Sequence, residues 1–286
     1  MRKVFFTFLC MSLGFPLCPV LAQVKGTTVA GADGIPFKMV HGFLIVFQGR
    51  IGSHAGLNFV LDTGATHTTV NRKLTQKMRV ALHPIQVFDF DRSVRMDSGV
   101  FPDVQFGPIH VTDVSLLIGD LSRLSDFANN ADAIIGSDLL SLSNFSIDYD
   151  AQKLFFSPVQ SPESPAKPHP VAMIIELQVQ DGLLDFLVDT GIEGVVLFED
   201  RLRSRIPQLH TDGKTEGFTI GRKLRAKQTI LPGVRLGTRI LDLRALLVEG
   251  PHGNALPGID GYWGTALFRA RRINFDFARS SLSWQE

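Results

Sequence analysis

The sequence predicts an all-β protein built from two β-barrel-like lobes related by internal duplication. Three observations predict it. Blocks of sequence return at a nearly constant interval, a proline-rich stretch divides the chain, and most segments between turn signals are short and apolar. The repeat is the strongest of these. Phe59-Val60-Leu61-Asp62-Thr63-Gly64 returns as Phe186-Leu187-Val188-Asp189-Thr190-Gly191. Phe101-Pro102-Asp103-Val104-Gln105-Phe106-Gly107 returns as Leu231-Pro232-Gly233-Val234-Arg235-Leu236-Gly237. Ile134-Ile135-Gly136 returns as Tyr262-Trp263-Gly264, Ile147-Asp148 as Phe275-Asp276, and Leu154 as Leu282. The offsets are 127, 130, 128, 128 and 128 residues.

The divider runs from Ser157 to Pro170 and carries five prolines. Proline lacks the amide hydrogen that helices and sheets require, so this stretch reads as an extended linker. The expected organisation is a leader over 1–22, a first lobe over 23–156, a linker over 157–170 and a second lobe over 171–286. Phe43 to Phe47 and Ile174 to Val179 have the apolar, strand-like character that the lobes need. Asp181-Gly182 reads as a two-residue hairpin turn leading into the strand that ends at Asp189. Short helices are expected over Asn71 to Met78 and Ser137 to Ser141, with a weaker helical segment over Ser122 to Asn129.

The leader begins with Arg2 and Lys3, continues through an apolar run from Val4 to Phe15, and ends at Val20-Leu21-Ala22. That pattern predicts a signal peptide cut after Ala22, and hence a secreted or periplasmic protein. Both cysteines, Cys10 and Cys18, lie inside the leader. The mature chain would then contain no thiol, which excludes a cysteine nucleophile, a disulfide and a cysteine-ligated metal.

Composition narrows the function further. Hydrophobic residues make up 44% and charged residues 20%, a globular balance, and the net charge is +1. Such a charge predicts no polyanionic partner. The clusters Arg201, Arg203, Arg205 and Arg269, Arg271, Arg272 lack interleaved aromatics, so they read as solvated faces rather than nucleic-acid sites. The eight histidines show no metal-binding spacing, and no phosphate loop or Gly-x-Ser-x-Gly elbow occurs. No cofactor, metal or nucleic acid is expected.

The chemistry concentrates in the two Asp-Thr-Gly turns. One such tripeptide carries little weight; two at equivalent points of a repeat carry much more. An apolar strand delivers each aspartate to a turn. Gly64 and Gly191 let the backbone approach closely, so that amide hydrogens can point at a carboxylate. Thr63 and Thr190 offer hydroxyls that can fasten one turn to the other.

These residues resemble the aspartic peptidases, the pepsin and retropepsin superfamily. The resemblance covers nearly all of the chain after the leader. Its marks are Asp62-Thr63-Gly64-Ala65, Asp189-Thr190-Gly191, and the later apolar-apolar-Gly triplets Ile134-Ile135-Gly136 and Tyr262-Trp263-Gly264. Ala65 and the short lobes are closest to the retropepsin-like branch found in bacteria. The resemblance implies a bilobal acid-protease fold with Asp62 and Asp189 as catalytic residues on the floor of an inter-lobe cleft. The apolar triplets would pack behind the turns. It also implies an endopeptidase that acts on a peptide or protein substrate as a monomer. Two neighbouring carboxylates cannot both ionise readily, so they would share a proton and activate a water. Such splitting of a carboxylate pair is a known property of aspartic proteases in general.

The chain departs from the family pattern in three places. Ile192 follows the second turn where a small residue is usual, and Glu193 comes next. Tyr149 and Tyr262 both lie outside the expected flap, about Phe88 to Gly107, so cover must come from other side chains such as Phe88 or Phe90. Two rival readings follow. One is an inactive peptide-binding relative with Ile192-Glu193 as the lesion. The other is a homodimer that pairs two Asp62 turns. Asp148 and Asp276 read as turn residues, and His67 as a surface histidine. Ala65 and Ile192 lack the hydroxyl that lowers a neighbouring carboxylate's pKa, and a charged Glu193 would raise it. The expected activity optimum is therefore on the order of pH 4.5 to 6.5.

Overall fold

The computed structural model describes residues 23–24, 33–89, 92–124, 130–157, 172–180, 182–203, 205–206, 209–218, 223–250 and 258–286. The predicted leader with Cys10 and Cys18, the linker beyond Ser157, Phe90, and residues 125–129 lie outside the described residues. The fold is nearly all β, in two sheets, consistent with an acid-protease-like architecture.

The first half contains strands β1 (Gln23–Val24), β2 (Ile35–Val40), β3 (Leu44–Ile51), β4 (His54–Leu61) and β5 (Thr69–Asn71). Helix α1 (Arg72–Met78) follows, then β6 (His83–Asp89), β7 (Arg92–Phe106), β8 (Ile109–Gly119) and β9 (Ala133–Ile135). Helix α2 (Ser137–Leu140), β10 (Phe145–Asp148) and β11 (Lys153–Phe156) complete it. The second half runs β12 (Ile174–Val179), β13 (Gly182–Asp189), β14 (Val195–Phe198), α3 (Glu199–Leu202), β15 (Thr211–Phe218) and β16 (Lys223–Leu236). It closes with β17 (Arg239–Val248), β18 (Gly261–Gly264), β19 (Arg272–Asp276) and β20 (Ser281–Gln285).

Both helices expected after the first motif form. Asn71 caps α1 by accepting from Lys73 N–H at 3.1 Å, which satisfies an otherwise unpaired first-turn donor. Of the weaker segment, the start lies in a 3-10 turn over Leu121–Leu124, and residues 125–129 lie outside the described residues. Gly182 of the expected hairpin turn pairs with Val179 as the first residue of β13; Asp181 lies outside the described residues. Strand β3 starts at Leu44, with Phe43 in the preceding turn.

The order of pairing is the same in both halves. Strand β4 runs between antiparallel β3 and parallel β9, which also pairs antiparallel with β5; β13 lies between β12 and β18, and β18 pairs antiparallel with β14. Strands covered on both faces read as continuous apolar runs, which explains Phe59-Val60-Leu61 and Phe186-Leu187-Val188, each at or near zero exposure. The proline blocks fall in the long strands β7 and β16. There Pro102 has no ladder partner, and the register shifts between Leu231 and Val234, since proline has no N–H to give.

One sheet takes strands from both ends of the described chain. Strands β19 and β20 belong to the 13-stranded sheet of the first half, through β10; the other sheet has seven strands. The β10–β19 ladder pairs Phe145 with Phe275 and Ile147 with Ile273. A shift of 128 residues carries the first pair onto the second, so this ladder has two-fold symmetry. Phe145 and Phe275 stack there at 4.7 Å. Asp148 and Asp276 serve as turn residues: their Oδ1 atoms accept from Ala151 N–H at 2.8 Å and Arg279 N–H at 3.1 Å. The arginine clusters form ion pairs, among them Arg203 with Glu199, Arg271 with Asp150, Arg272 with Asp148, and Arg205 with the buried Asp260.

Candidate active site

Each aspartate leaves the end of a strand that is hydrogen-bonded on both sides. Leu61 pairs with Ile135 in β9, and Val188 pairs with Trp263 in β18. The chain then turns sharply, and the apolar triplets lie against the turns. Their glycines are required by close approach. A Cβ on Gly136 would stand 2.7 Å from the carbonyl carbon of His67 and 3.0 Å from Ala65 O. A Cβ on Gly264 would stand 2.7 Å from Ile192 O and 2.9 Å from Gly194 O. Behind them, Ile134, Ile135, Tyr262 and Trp263 are fully buried. Trp263 packs edge-on against Phe186 at 5.5 Å, an arrangement favoured by the ring quadrupoles.

The two turns interlock. Thr63 N–H donates to Thr190 Oγ1 at 3.1 Å, and Thr190 N–H donates to Thr63 Oγ1 at 3.1 Å. The hydroxyl of Thr63 donates to Val188 O at 2.8 Å, and that of Thr190 donates to Leu61 O at 2.8 Å. These four bonds cross between the halves and are buried. In a low-dielectric setting each threonine both donates and accepts, so the two turns hold one fixed relation.

That relation brings the carboxyls together. Asp62 and Asp189 are 0% and 1% exposed. Asp62 Oδ1 accepts from Gly64 N–H at 3.0 Å and Ala65 N–H at 2.9 Å; Asp189 Oδ1 accepts from Gly191 N–H at 2.6 Å. Asp62 Oδ2 is buried and accepts from no amide among the described residues. Gly64 stands between the two groups. A Cβ there would lie 2.3 Å from Asp189 Oδ2, so the Asp189 carboxyl or the turn would have to move to admit a side chain. Burial pushes the Asp62 carboxyl up to about 7, opposed by hydrogen bonding to Asp189 and to the amides of Ala65 and Gly64. Asp189 is raised well above the ordinary carboxylate range, first by burial and then by the charge of Asp62. A buried pair with such shifts favours one shared proton near neutral pH.

The departures at the second turn take on a different meaning here. Ile192 is fully buried in a cluster with Leu187, Val196, Phe198 and Tyr262, so its bulk fills the core. Glu193 is exposed. The upward shift of Asp189 comes from burial and Asp62 rather than from Glu193. His67 is half-buried rather than on the open surface, and its Nδ1 is 2.9 Å from Thr66 Oγ1. The expected flap is the β6–β7 hairpin, and β15–β16 is its counterpart.

Two features of the site escaped the sequence reading. Asp132 and Asp260 each lie four residues before the glycine of the apolar triplet. Asp132 Oδ2 accepts from Asn58 N–H, and Asp260 Oδ2 from Asp185 N–H, both at 2.9 Å. Each therefore braces the strand that delivers Asp62 or Asp189, and the repeated Asp-x-x-x-Gly spacing was a signal for them. The other is a contact between Thr68 and Asp138, which has no counterpart in the second half and so no repeat to reveal it. A search of curated proteins finds no match. Residues 47–139, from β3 through α2, match the family model described as Aspartyl protease, and this match supports assignment of the chain to the aspartic peptidase superfamily.

Proposed function

We propose that the chain is an aspartic endopeptidase that hydrolyses peptide bonds with a water activated jointly by Asp62 and Asp189. The observation that carries this reading is the interlocked pair of turns, which holds two buried carboxyls at one point with raised pKa values. With one proton on the pair, the ionised member takes a proton from the water as it attacks the peptide carbonyl. The protonated member donates to the carbonyl oxygen as charge develops there. The proton then passes to the leaving amine. Neither a covalent intermediate nor a metal enters these steps.

One chain supplies both aspartates, which favours a monomeric enzyme over pairing of two Asp62 turns. The burial of Ile192 and the exposure of Glu193 favour a competent second turn over a lesion there. We further propose that the protein acts after export, in the periplasm or outside the cell, on peptide or protein substrates; fractionation of the native protein and its N-terminal sequence would test this. The test of function is cleavage profiling of a peptide library beside the Asp62→Asn and Asp189→Asn variants. Each variant should lose several orders of magnitude in rate, because acid and base roles both fail. Near-normal turnover by Asp189→Asn would remove the single-chain dyad.

A further inference from the structure

We infer that Asp138 is a positioning residue for the Asp62 turn, acting through Thr68, and that only the first half carries this device. The inference extends the peptidase reading of the same site and rests on it for its catalytic consequence.

The loop after Asp62 is zipped to the segment that runs from β9 into α2. Asp62 N–H donates to Ile135 O at 3.1 Å, Ser137 N–H donates to Ala65 O at 2.8 Å, and Gly136 N–H donates to Thr68 Oγ1 at 3.0 Å. Thr68 is fully buried, and Asp138 meets it from the other side. The Thr68 hydroxyl donates to Asp138 Oδ1 at 2.7 Å, and its N–H lies 2.9 Å from both carboxyl oxygens. Leu139 N–H adds a donor to Oδ1 at 2.9 Å. A hydroxyl has one proton. Because Thr68 Oγ1 accepts from Gly136, its own proton has a set direction, toward Asp138. The chain Gly136 N–H to Thr68 O–H to carboxylate therefore needs an acceptor-only group at its end, and an ionised aspartate supplies it. Burial raises the Asp138 pKa; the nearby His67 and the Thr68 and Leu139 donors oppose that rise.

The second half closes the corresponding loop without this chain. Shifts of 127 and 128 residues carry Thr68 to Val195 and Asp138 to Ala266. Val195 is buried in the core, and Gly264 N–H donates to Gly194 O at 2.9 Å. Apolar packing takes the place of the half-buried carboxylate. The first turn thus depends on a charged group that the second does without.

A double-mutant cycle with Asp138→Ala, Thr68→Val and their combination tests this, the combination copying the residues that the second half already uses. Two readouts are needed. Amide exchange over residues 62–68 should quicken by about tenfold or more in Asp138→Ala, while residues 189–195 stay unchanged, since exchange reports local opening. On a cleaved peptide, kcat should fall on the order of 10- to 100-fold with KM within about threefold, as expected when a reacting group is misplaced rather than binding lost. Adding Asp138→Ala to Thr68→Val should change each readout by much less than Asp138→Ala does alone, because only the bond from the Thr68 N–H then remains to be lost. Unchanged exchange at residues 62–68, or additive effects of the two substitutions, would overturn the inference. So would an unchanged kcat in an enzyme that cleaves peptides. If the unmodified chain cleaves nothing, the peptidase reading fails separately, and the exchange arm still decides whether Asp138 holds the turn. Should Asp138→Ala fail to fold, Thr68→Val and the double variant carry the same exchange comparison.

Discussion

Replacing Asp62 by Asn should stabilise the protein at pH 8 while ending its proposed chemistry. In the unfolded chain Asp62 ionises near 3.8; in the folded chain it ionises at about 7, because burial disfavours the charge. Between those values the folded state holds more protons than the unfolded state. Stability therefore falls as pH rises through that window, and the penalty is complete above about 7. About three pKa units at roughly 1.4 kcal/mol each give a penalty on the order of 4 kcal/mol. Asp189 contributes with the same sign, since its pKa is also raised. Asn cannot ionise, and its Oδ1 can still accept from Gly64 and Ala65. The variant should match the parent near pH 4 and exceed it by on the order of 4 kcal/mol at pH 8. Asp148, Glu199 and Asp276 have lowered pKa values and act with the opposite sign, but they are common to both proteins and cancel. Urea unfolding followed by tryptophan fluorescence, with fully buried Trp263 as reporter, measures the difference. A stability difference that does not change with pH, or a parent more stable than Asp62→Asn at pH 8, would refute the reasoning.

Four other expectations follow from the same geometry. Thr190→Val removes a buried donor and acceptor shared with Thr63 and Leu61, and should cost about 1–3 kcal/mol in urea unfolding, with peptide cleavage lost as the turns separate. Gly64→Ala should leave secondary structure intact by circular dichroism but abolish turnover, because the added methyl, 2.3 Å from Asp189 Oδ2, would displace that carboxyl. The acidic limb of the kcat/KM profile should fall near pH 7, above the weakly acidic range that the sequence suggested; an optimum near or below about pH 3 would contradict the pair's burial. Chelators and thiol or serine reagents should leave cleavage unchanged, while a statine-type peptide, whose hydroxyl stands in for the attacking water, should inhibit; loss of activity to EDTA with recovery on zinc would refute the mechanism.

Much of this site was legible because apolar runs and repeated turns leave marks in sequence. Phe59-Val60-Leu61 and its counterpart announce strands buried on both faces, and Asp-Thr-Gly names the turn that follows each. The glycines of the triplets were legible for the same reason: no other residue survives the contacts at Gly136 and Gly264. What stayed hidden depends on partners distant in sequence. Nothing local to Asp138 says that it meets Thr68, 70 residues earlier. Nothing local to Ile192 says that its side chain turns into the core rather than toward the aspartates. Glu193 looked threatening by adjacency in sequence, whereas exposure to water decides its effect on the site. Gly182 stands in the ladder, paired with Val179, because the local preference of Asp-Gly for a turn does not fix where a strand begins.

The membership of β19 and β20 in the first sheet has a consequence for the order of events during synthesis. Strand β10, near residue 145, finds its neighbour in residues 272–276, and β20 then covers β19. Pairing across so long an interval is slow, because loop closure comes before any contact that rewards it. A nascent chain that has finished its first half therefore presents β10 with one bare edge, and an unpaired edge invites pairing with other chains. The proposed dyad is likewise incomplete until residue 189 has been made. Under the proposed function, a partly synthesised or truncated chain would be prone to association but unable to cut a peptide bond. Completing the sheet and completing the enzyme then become a single late step, one that the full-length chain reaches only after its β19 strand is free to dock.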